Sequence, residues 1–497
     1  MNESIPLQLQ RADLLCRQNF IAGQWCDSAA GGQLAVSNPA TDTVFAQVAN
    51  SDQQDALAAV DAAQAALPRW RAQTARARSQ LLKQWHRLIL ANSEDLATLM
   101  SLEQGKPLAE ARAEVAYGAS YVEWFAEEAV RARGDILPAL APGKLQMVVK
   151  EPIGVVAAIT PWNFPLAMIA RKLAPALAAG CTVIAKPAED TPLTALALVK
   201  LAEEAGFPAG TINIVSASRE STATVVDCWL RDGRVRKITF TGSTPVGKHL
   251  ARESADTLKK LSLELGGNAP FIVFADADLD AAVSGLMAAK FRNGGQTCVC
   301  PNRVYVHSDV MAAFTEKLQA QVEQLSVGPA THPAATIGPM INRRAIDKIQ
   351  RHVDNAVAQG ARLVAGGQPL RNAIADGPFY FAPTILADVT TAMEVCHEET
   401  FGPLVPLFRF HSESDVIEQA NATPFGLAAY FYTQDPSRIW RVSSALQAGV
   451  IGINEGAVAS EAAPFGGAKE SGYGREGSHY GLDDYQNIKY LCQGNLG

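Results

Sequence analysis

The chain has 497 residues, 48% hydrophobic and 19% charged, an ordinary globular composition long enough for two or three domains with large buried cores. Its formal net charge of -7 and the lack of a long basic run exclude a surface built for nucleic acid or an anionic membrane, which leaves small molecules as the expected partners. The eight cysteines are sparse and irregular, as in a reducing compartment. No apolar run reaches the roughly 18 residues of a membrane span, and MNESIPLQLQRADLLCRQNF lacks the basic start and apolar stretch of an export leader, so a soluble cytoplasmic protein is expected.

In chain order, helices are expected over 52–67 and 75–131. The segment DILPALAPGKLQMVVKEP (135–152) reads as a hairpin whose strands need a neighbour. The strand-like DYQNIKYLCQ (484–493) is in the same position, and isolated hairpins are marginal in water, so the two pieces are expected to pair across a subunit interface. From 153 the runs IGVVAAIT, LAMIARKLAPALAAG, TVIAK, PLTALALVKLAEEAG and INIV alternate strand and helix, and a further helix leads into KITFTGS (237–243). Thr191 is placed to cap the second of these helices, with Pro192 at its first position and Gly206 at its end. A second alternation begins at FIVF (271–274) and continues through VYVH, a helix near 344–359, LVPLFRF, AAYFYT and GVIGIN. Two α/β units with parallel sheets are the predicted result. There is no internal repeat and no low-complexity segment.

One GxGxxG string occurs, Gly472 to Gly477. Such a string marks a dinucleotide loop only between a strand and a helix of a βαβ unit. Here it follows the polar AKES and precedes SHYGLDDY, so it is not taken as a phosphate loop.

Three side chains stand out for chemistry. Cys298 lies in FRNGGQTCVCPN, a glycine-rich break after a helical run, where a loop can expose a thiol to a cleft; most free cysteines are buried and structural. Glu264 ends a β-rich run before two glycines, flanked by Leu263 and Leu265. Partial burial there raises a carboxyl toward neutrality, which suits a general base, whereas an ordinary glutamate would sit on the surface. Asn163 follows Thr160-Pro161-Trp162 at the end of the first core strand, where open parallel sheets bind ligands. Its amide can donate to a developing oxyanion or cap the following helix, and spacing does not choose between them. Lys186 and Glu189 of KPAE end the next strand, where a lysine can meet ribose or phosphate or simply pair with its neighbour; Gly242-Ser243 closes a strand and opens a helix, offering backbone donors to a pyrophosphate.

The motifs ITPWNFP, KPAE, FTGST, LELGGNAPFIV, GQTCVC, EETFGP and PFGG stand in the order seen in aldehyde dehydrogenases, which the chain resembles from NFIAGQW to DYQNIKY. Through EQGKPLAEA, FAEEA, KFRNGGQTCVCPNR, APFGG and GREGS it is most similar to the succinate-semialdehyde dehydrogenases. The resemblance implies a Rossmann-type cofactor domain (1–131 and 151–264), a second α/β catalytic domain (265–471) and a small β oligomerisation element (132–150 and 472–497) of a homodimer or homotetramer. It implies that Cys298 is the nucleophile, Glu264 the general base and Asn163 the oxyanion donor. It further implies that Thr160, Trp162, Lys186, Glu189, Gly242, Ser243, Leu265, Glu399 and Phe401 contact NAD or NADP, without a metal. Arg171 and Arg292 resemble arginines that hold the distal carboxylate of succinate semialdehyde, with Ser460 nearby, unless each pairs with a local carboxylate. Glutarate semialdehyde fits nearly as well, and NEGAVASEAAPFGG departs from the family pattern around Ser460. The VSASRE run, with Ala217 where the family commonly has glycine, departs on the adenine side.

A carboxylate at Glu189 would bind a ribose 2′-hydroxyl and repel a 2′-phosphate, so NAD is expected over NADP. Pairs similar to Cys298 and Cys300 form a reversible disulfide, so a redox switch is expected here. The alternative class, a cysteine-dependent esterase or acyl-transferase, would have no reason to keep KPAE, FTGS and EETFGP.

Overall fold

The computed structural model describes residues 8–372 and 374–496; the first seven residues, which belong to the leader reading, lie outside them. The first sheet has the strand order Gln24–Cys26, Asn19–Ile21, Ile212–Ile214, Thr182–Lys186, Val155–Ile159, Val235–Thr241, Lys260–Glu264, Gly472–Tyr473. Its five middle strands are parallel. Their order reverses at Val155–Ile159, which opens a crevice at the carboxyl ends of that strand and of Val235–Thr241. All five residues of Val155–Ile159 are buried because helices cover both faces: Val156 and Ala158 pack with Leu173 and Leu177, while Val155, Ala157 and Ile159 join the layer of Trp229 and Ala59.

The second sheet runs Arg362–Ala365, Thr384–Val389, Leu404–Phe410, Pro301–His307, Ala269–Val273, Ala428–Tyr432, Val450–Ile453, all parallel except the first pair. The chain is thus two α/β units, as the alternating runs predict. Among the described residues no helix is long and apolar enough to cross a membrane.

The hairpin and the last strand pair within one chain, not across a subunit boundary as expected: Gln486–Gln493 runs antiparallel to Leu145–Pro152, which in turn pairs with Asp135–Leu137. An eight-residue register closes locally because the helix Ser478–Asp483 brings the chain end back beside Pro152.

The stretch 75–131 is three helices: Ala75–Ala91, Ser93–Gln104 and Leu108–Arg131. Gly105, at φ +90°, ends the second, and a Cβ there would lie 2.7 Å from Pro339. Pro107 then starts the third.

Thr191 caps nothing. The helix Leu193–Glu204 begins one residue later than expected, and the buried carboxylate of Glu103 accepts from Leu193 N (2.7 Å) and Thr194 N (2.8 Å). A carboxylate from another helix satisfies two orphan donors where a hydroxyl would satisfy one.

Candidate active site

The carboxyl ends of the first sheet's strands deliver the side chains that line the crevice. A groove of about 450 Å³ is lined by Thr160, Trp162, Lys186, Glu189, Gly242 and Ser243, six of the nine residues expected at the dinucleotide. Gly242 is required there, since a Cβ would lie 2.3 Å from the Phe240 ring. Ser243 precedes the helix Thr244–Ser254 and makes no side-chain cap hydrogen bond to it, so no side-chain cap at this position competes for the helix's first N–H groups.

Lys186 is buried, donates to Pro187 O at 2.9 Å and lies 3.7 Å from Glu189. The ion-pair reading of KPAE is met, and both side chains line the groove. Trp162 and Phe401 meet edge to face with centroids 5.6 Å apart, and Phe401 holds φ +57°. Glu399 accepts from Gly267 N at 3.2 Å, and burial pushes its carboxyl up to about 7. Leu265 is buried against Gly247.

The groove also contains Arg219, Val226, Val246 and Leu250, which the motif reading missed. They project from the helices Arg219–Arg231 and Thr244–Ser254. The apolar positions of two helices that follow core strands were the available signal.

Glu264 is 2% exposed and, among the described residues, neither carboxyl oxygen has a hydrogen-bond partner. Burial, reinforced by the charge of Glu476, holds this carboxyl well above the usual carboxylate range, against the pull of Arg171, Lys172 and Arg475. Once ionised, a carboxylate held in this way is a stronger base than a solvated one and can take a proton from a reactant.

Asn163 is not the cap of the helix Ala167–Ala179. Glu114 holds that end, accepting from Leu166 N at 2.9 Å and Ala167 N at 3.2 Å. The Asn163 amide instead donates one hydrogen to Gln296 O at 2.9 Å, in the loop that carries Cys298, and keeps its second N–H. Cys298 is partly exposed and free, held close to Gly267, where a Cβ would lie 2.4 Å from the Cys298 carbonyl oxygen. Cys300 is buried and also free, its thiol donating to Lys290 O at 3.6 Å.

Of the two arginines, Arg171 is buried and ion-paired with Glu476, over the Phe465 ring at 4.5 Å. The local-carboxylate alternative is therefore met at Arg171, although its Nη2 has no hydrogen-bond partner. Arg292 is exposed, stacks on Phe164 (4.8 Å) and Tyr117 (5.5 Å), and among the described residues makes no ion pair within 4.0 Å. The Ser460 hydroxyl accepts from Ala462 N at 3.3 Å.

The GxGxxG string has another purpose. Gly472, at φ +106°, lies so close to the neighbouring strand that a Cβ would be 1.9 Å from Leu263 O. This contact brings Glu476 beneath the crevice, where it also ion-pairs with Lys172.

The pattern of the aldehyde dehydrogenase family matches residues 25–491. The chain is 53% identical to a 3-sulfolactaldehyde dehydrogenase of Pseudomonas putida, covering 99% of both chains, and 52% identical to a glutarate-semialdehyde dehydrogenase of the same species, covering 98% of this chain and 99% of that one. The crystal structure of succinate-semialdehyde dehydrogenase from Burkholderia pseudomallei superposes with a TM-score of 0.96 at 52% identity, over 98% of this chain and 100% of the other. The chain belongs to the aldehyde dehydrogenase family.

As an aldehyde dehydrogenase it is an NAD(P)-dependent enzyme that oxidises an aldehyde. In this member, burial pushes the Cys298 thiol up to about 12; Arg171 pulls it down, while Glu399 and Glu264 push further up. A thiol whose pKa lies above the pH is protonated, so its thiolate fraction grows about tenfold per pH unit. Alkylation of Cys298 by iodoacetamide in the cofactor-free protein, followed by peptide mass spectrometry, should rise steadily from about pH 7 to about pH 10. A plateau reached near pH 7 would contradict a high thiol pKa.

Proposed function

We propose that this aldehyde dehydrogenase oxidises an aldehyde bearing a distal anionic group, succinate semialdehyde first and glutarate semialdehyde second. The observation that carries this reading is Arg292, a guanidinium on an aromatic platform with no carboxylate partner within 4.0 Å among the described residues. An unpaired arginine beside the Asn163–Phe164 turn invites a carboxylate or a sulfonate. Relatives that are about half identical carry names for acidic aldehydes, which supports the same class.

The Cys298 thiol gives up its proton to solvent and attacks the aldehyde carbon as the thiolate, and the free N–H of Asn163, with the Cys298 backbone N–H, donates to the oxygen as it becomes negative. The groove of Gly242, Ser243 and Lys186 would hold NAD(P), which when bound would supply the hydride acceptor that oxidation of this carbon to the thioester level needs. Glu264 then takes a proton from the water that attacks the thioester, releasing the carboxylate and the thiol. Trp162, Thr160 and Glu189 line the groove and Phe401 meets Trp162 edge to face, while Leu265 and Glu399 are assigned to the same dinucleotide by the family resemblance.

NAD is the preferred dinucleotide in this reading, because Glu189 opposes a 2′-phosphate. Arg219 on the same wall offsets part of that charge, so NADP is a poorer but usable alternative. The cofactor part comprises 1–131 and 151–264, the catalytic part 265–471, and 132–150 with 472–497 the oligomerisation element.

The three-stranded sheet exposes apolar side chains on both faces: Ile488 (75%) and Tyr490 (53%) on one, Ile136 (78%) on the other. Such a surface supports a homodimer or homotetramer. Sedimentation should give a mass of at least twice 52.9 kDa, and a monomer at micromolar concentration would contradict it.

NADH and NADPH formation at about 340 nm tests substrate and cofactor together. The acidic semialdehydes should have higher kcat/KM than propanal, and Arg292→Ala should lower kcat/KM about 10²-fold for them while changing propanal by less than about threefold. Glu189→Ser should raise kcat/KM for NADP relative to NAD. Equal turnover of propanal, or an equal loss for all aldehydes in Arg292→Ala, would remove the anion pocket.

A further inference from the structure

The EQGKPLAEA motif supplies no group to the mechanism above, yet it places three charged side chains beneath it. Glu110 and Glu114, four residues apart, share one side of the first turns of the helix Leu108–Arg131, and Lys106, in the loop just before it, reaches Glu114. Lys106 and Glu114 have side chains 1% exposed and meet at 2.5 Å. Burying two charges costs several kcal/mol that only well-made contacts repay.

Their contacts are all on the two loops that carry the reacting groups. Lys106 Nζ donates to Asn163 O at 2.9 Å and lies 4.2 Å from the Phe164 ring centroid. Glu114 accepts from Leu166 N and Ala167 N, so the pair clamps the turn 163–167 at three backbone points. Glu110 accepts from Asn293 N at 2.9 and 3.1 Å, in the loop that leads to Cys298. The Asn293 amide bridges back, donating to Asn163 O at 2.9 Å and to Gln296 O at 3.3 Å. Asn293 holds φ +51°, a left-handed conformation that Asn tolerates better than most residues.

Lys106 itself is fixed on both sides, its N–H donating to Gln104 Oε1 at 3.0 Å and its carbonyl accepting from Ser101 Oγ at 2.9 Å. The three side chains thus connect the helix start to both loops, with Lys106 and Glu114 buried.

We propose that Lys106, Glu110 and Glu114, with Asn293 as the bridge, are positioning residues that fix the Asn163 amide relative to Cys298. The proposal rests on the reading of Asn163 as the oxyanion donor. None of the four touches the aldehyde; they act through the backbone of 163–167 and 293–296.

A double-mutant cycle on the first-turnover rate of NADH formation tests this, with Lys106→Met and Asn293→Ala each combined with Asn163→Ala. Asn163→Ala alone should slow the first turnover about 10²-fold. Lys106→Met and Asn293→Ala should each slow it about tenfold or more in the parent, with the KM for NAD unchanged, and should add nothing in the Asn163→Ala background. Asn293→Ala removes no charge, so it keeps the test usable if Lys106→Met fails to fold. If Asn163→Ala alone is slowed but the penalties multiply in the double variants, the ladder acts independently of Asn163 and the proposal falls. An unslowed Asn163→Ala overturns the oxyanion reading and the ladder with it.

Discussion

An unpaired carboxyl buried under the crevice is the constraint on which the rest of this structure depends. Among the described residues Glu264 has no hydrogen-bond partner on either oxygen, and a buried ionised carboxylate without partners is too costly to persist. The surrounding charges answer that problem without satisfying it. Arg171 and Lys172, both on the helix Ala167–Ala179, converge on Glu476, and the same cations stabilise a negative charge on Glu264 when a reaction demands one. The C-terminal segment thus sets the charge around Glu264, although its glycines mimic a nucleotide loop.

The same economy shapes the loops above. Three separate carboxylates from the N-terminal helices, Glu103, Glu110 and Glu114, hold backbone N–H groups at the starts of two core helices and of the Cys298 loop. The N-terminal helices are the frame against which the crevice is registered. Glycines do the complementary work, letting backbone approach where a Cβ could not fit, at Gly242 against Phe240 and at Gly267 against Cys298.

Much of the architecture was legible in the chain itself. The runs between 153 and 243 are punctuated by Gly and Pro, and their apolar residues are continuous because both faces of a parallel sheet are buried. Cys298, Glu264 and Asn163 could be singled out because glycines or a strand end mark each of them. What escaped is long-range in sequence. Nothing near Asn163 announces that Glu114, about fifty residues away, takes over the capping role, and nothing near Thr191 announces Glu103. Arg171 looked like a free ligand because its partner, Glu476, lies more than three hundred residues further on. The hairpin looked unpaired for the same reason, its neighbour being the last strand of its own chain.

The central claim is a covalent acyl intermediate on Cys298 that Glu264 helps to hydrolyse, and intact-protein and peptide mass spectrometry of Glu264→Gln tests it most directly. Mixed with NAD and succinate semialdehyde, this variant should form about one NADH per subunit rapidly and then stall, with a succinyl adduct on the Cys298 peptide. Continued turnover at the parental rate with no adduct on Cys298 would contradict the account.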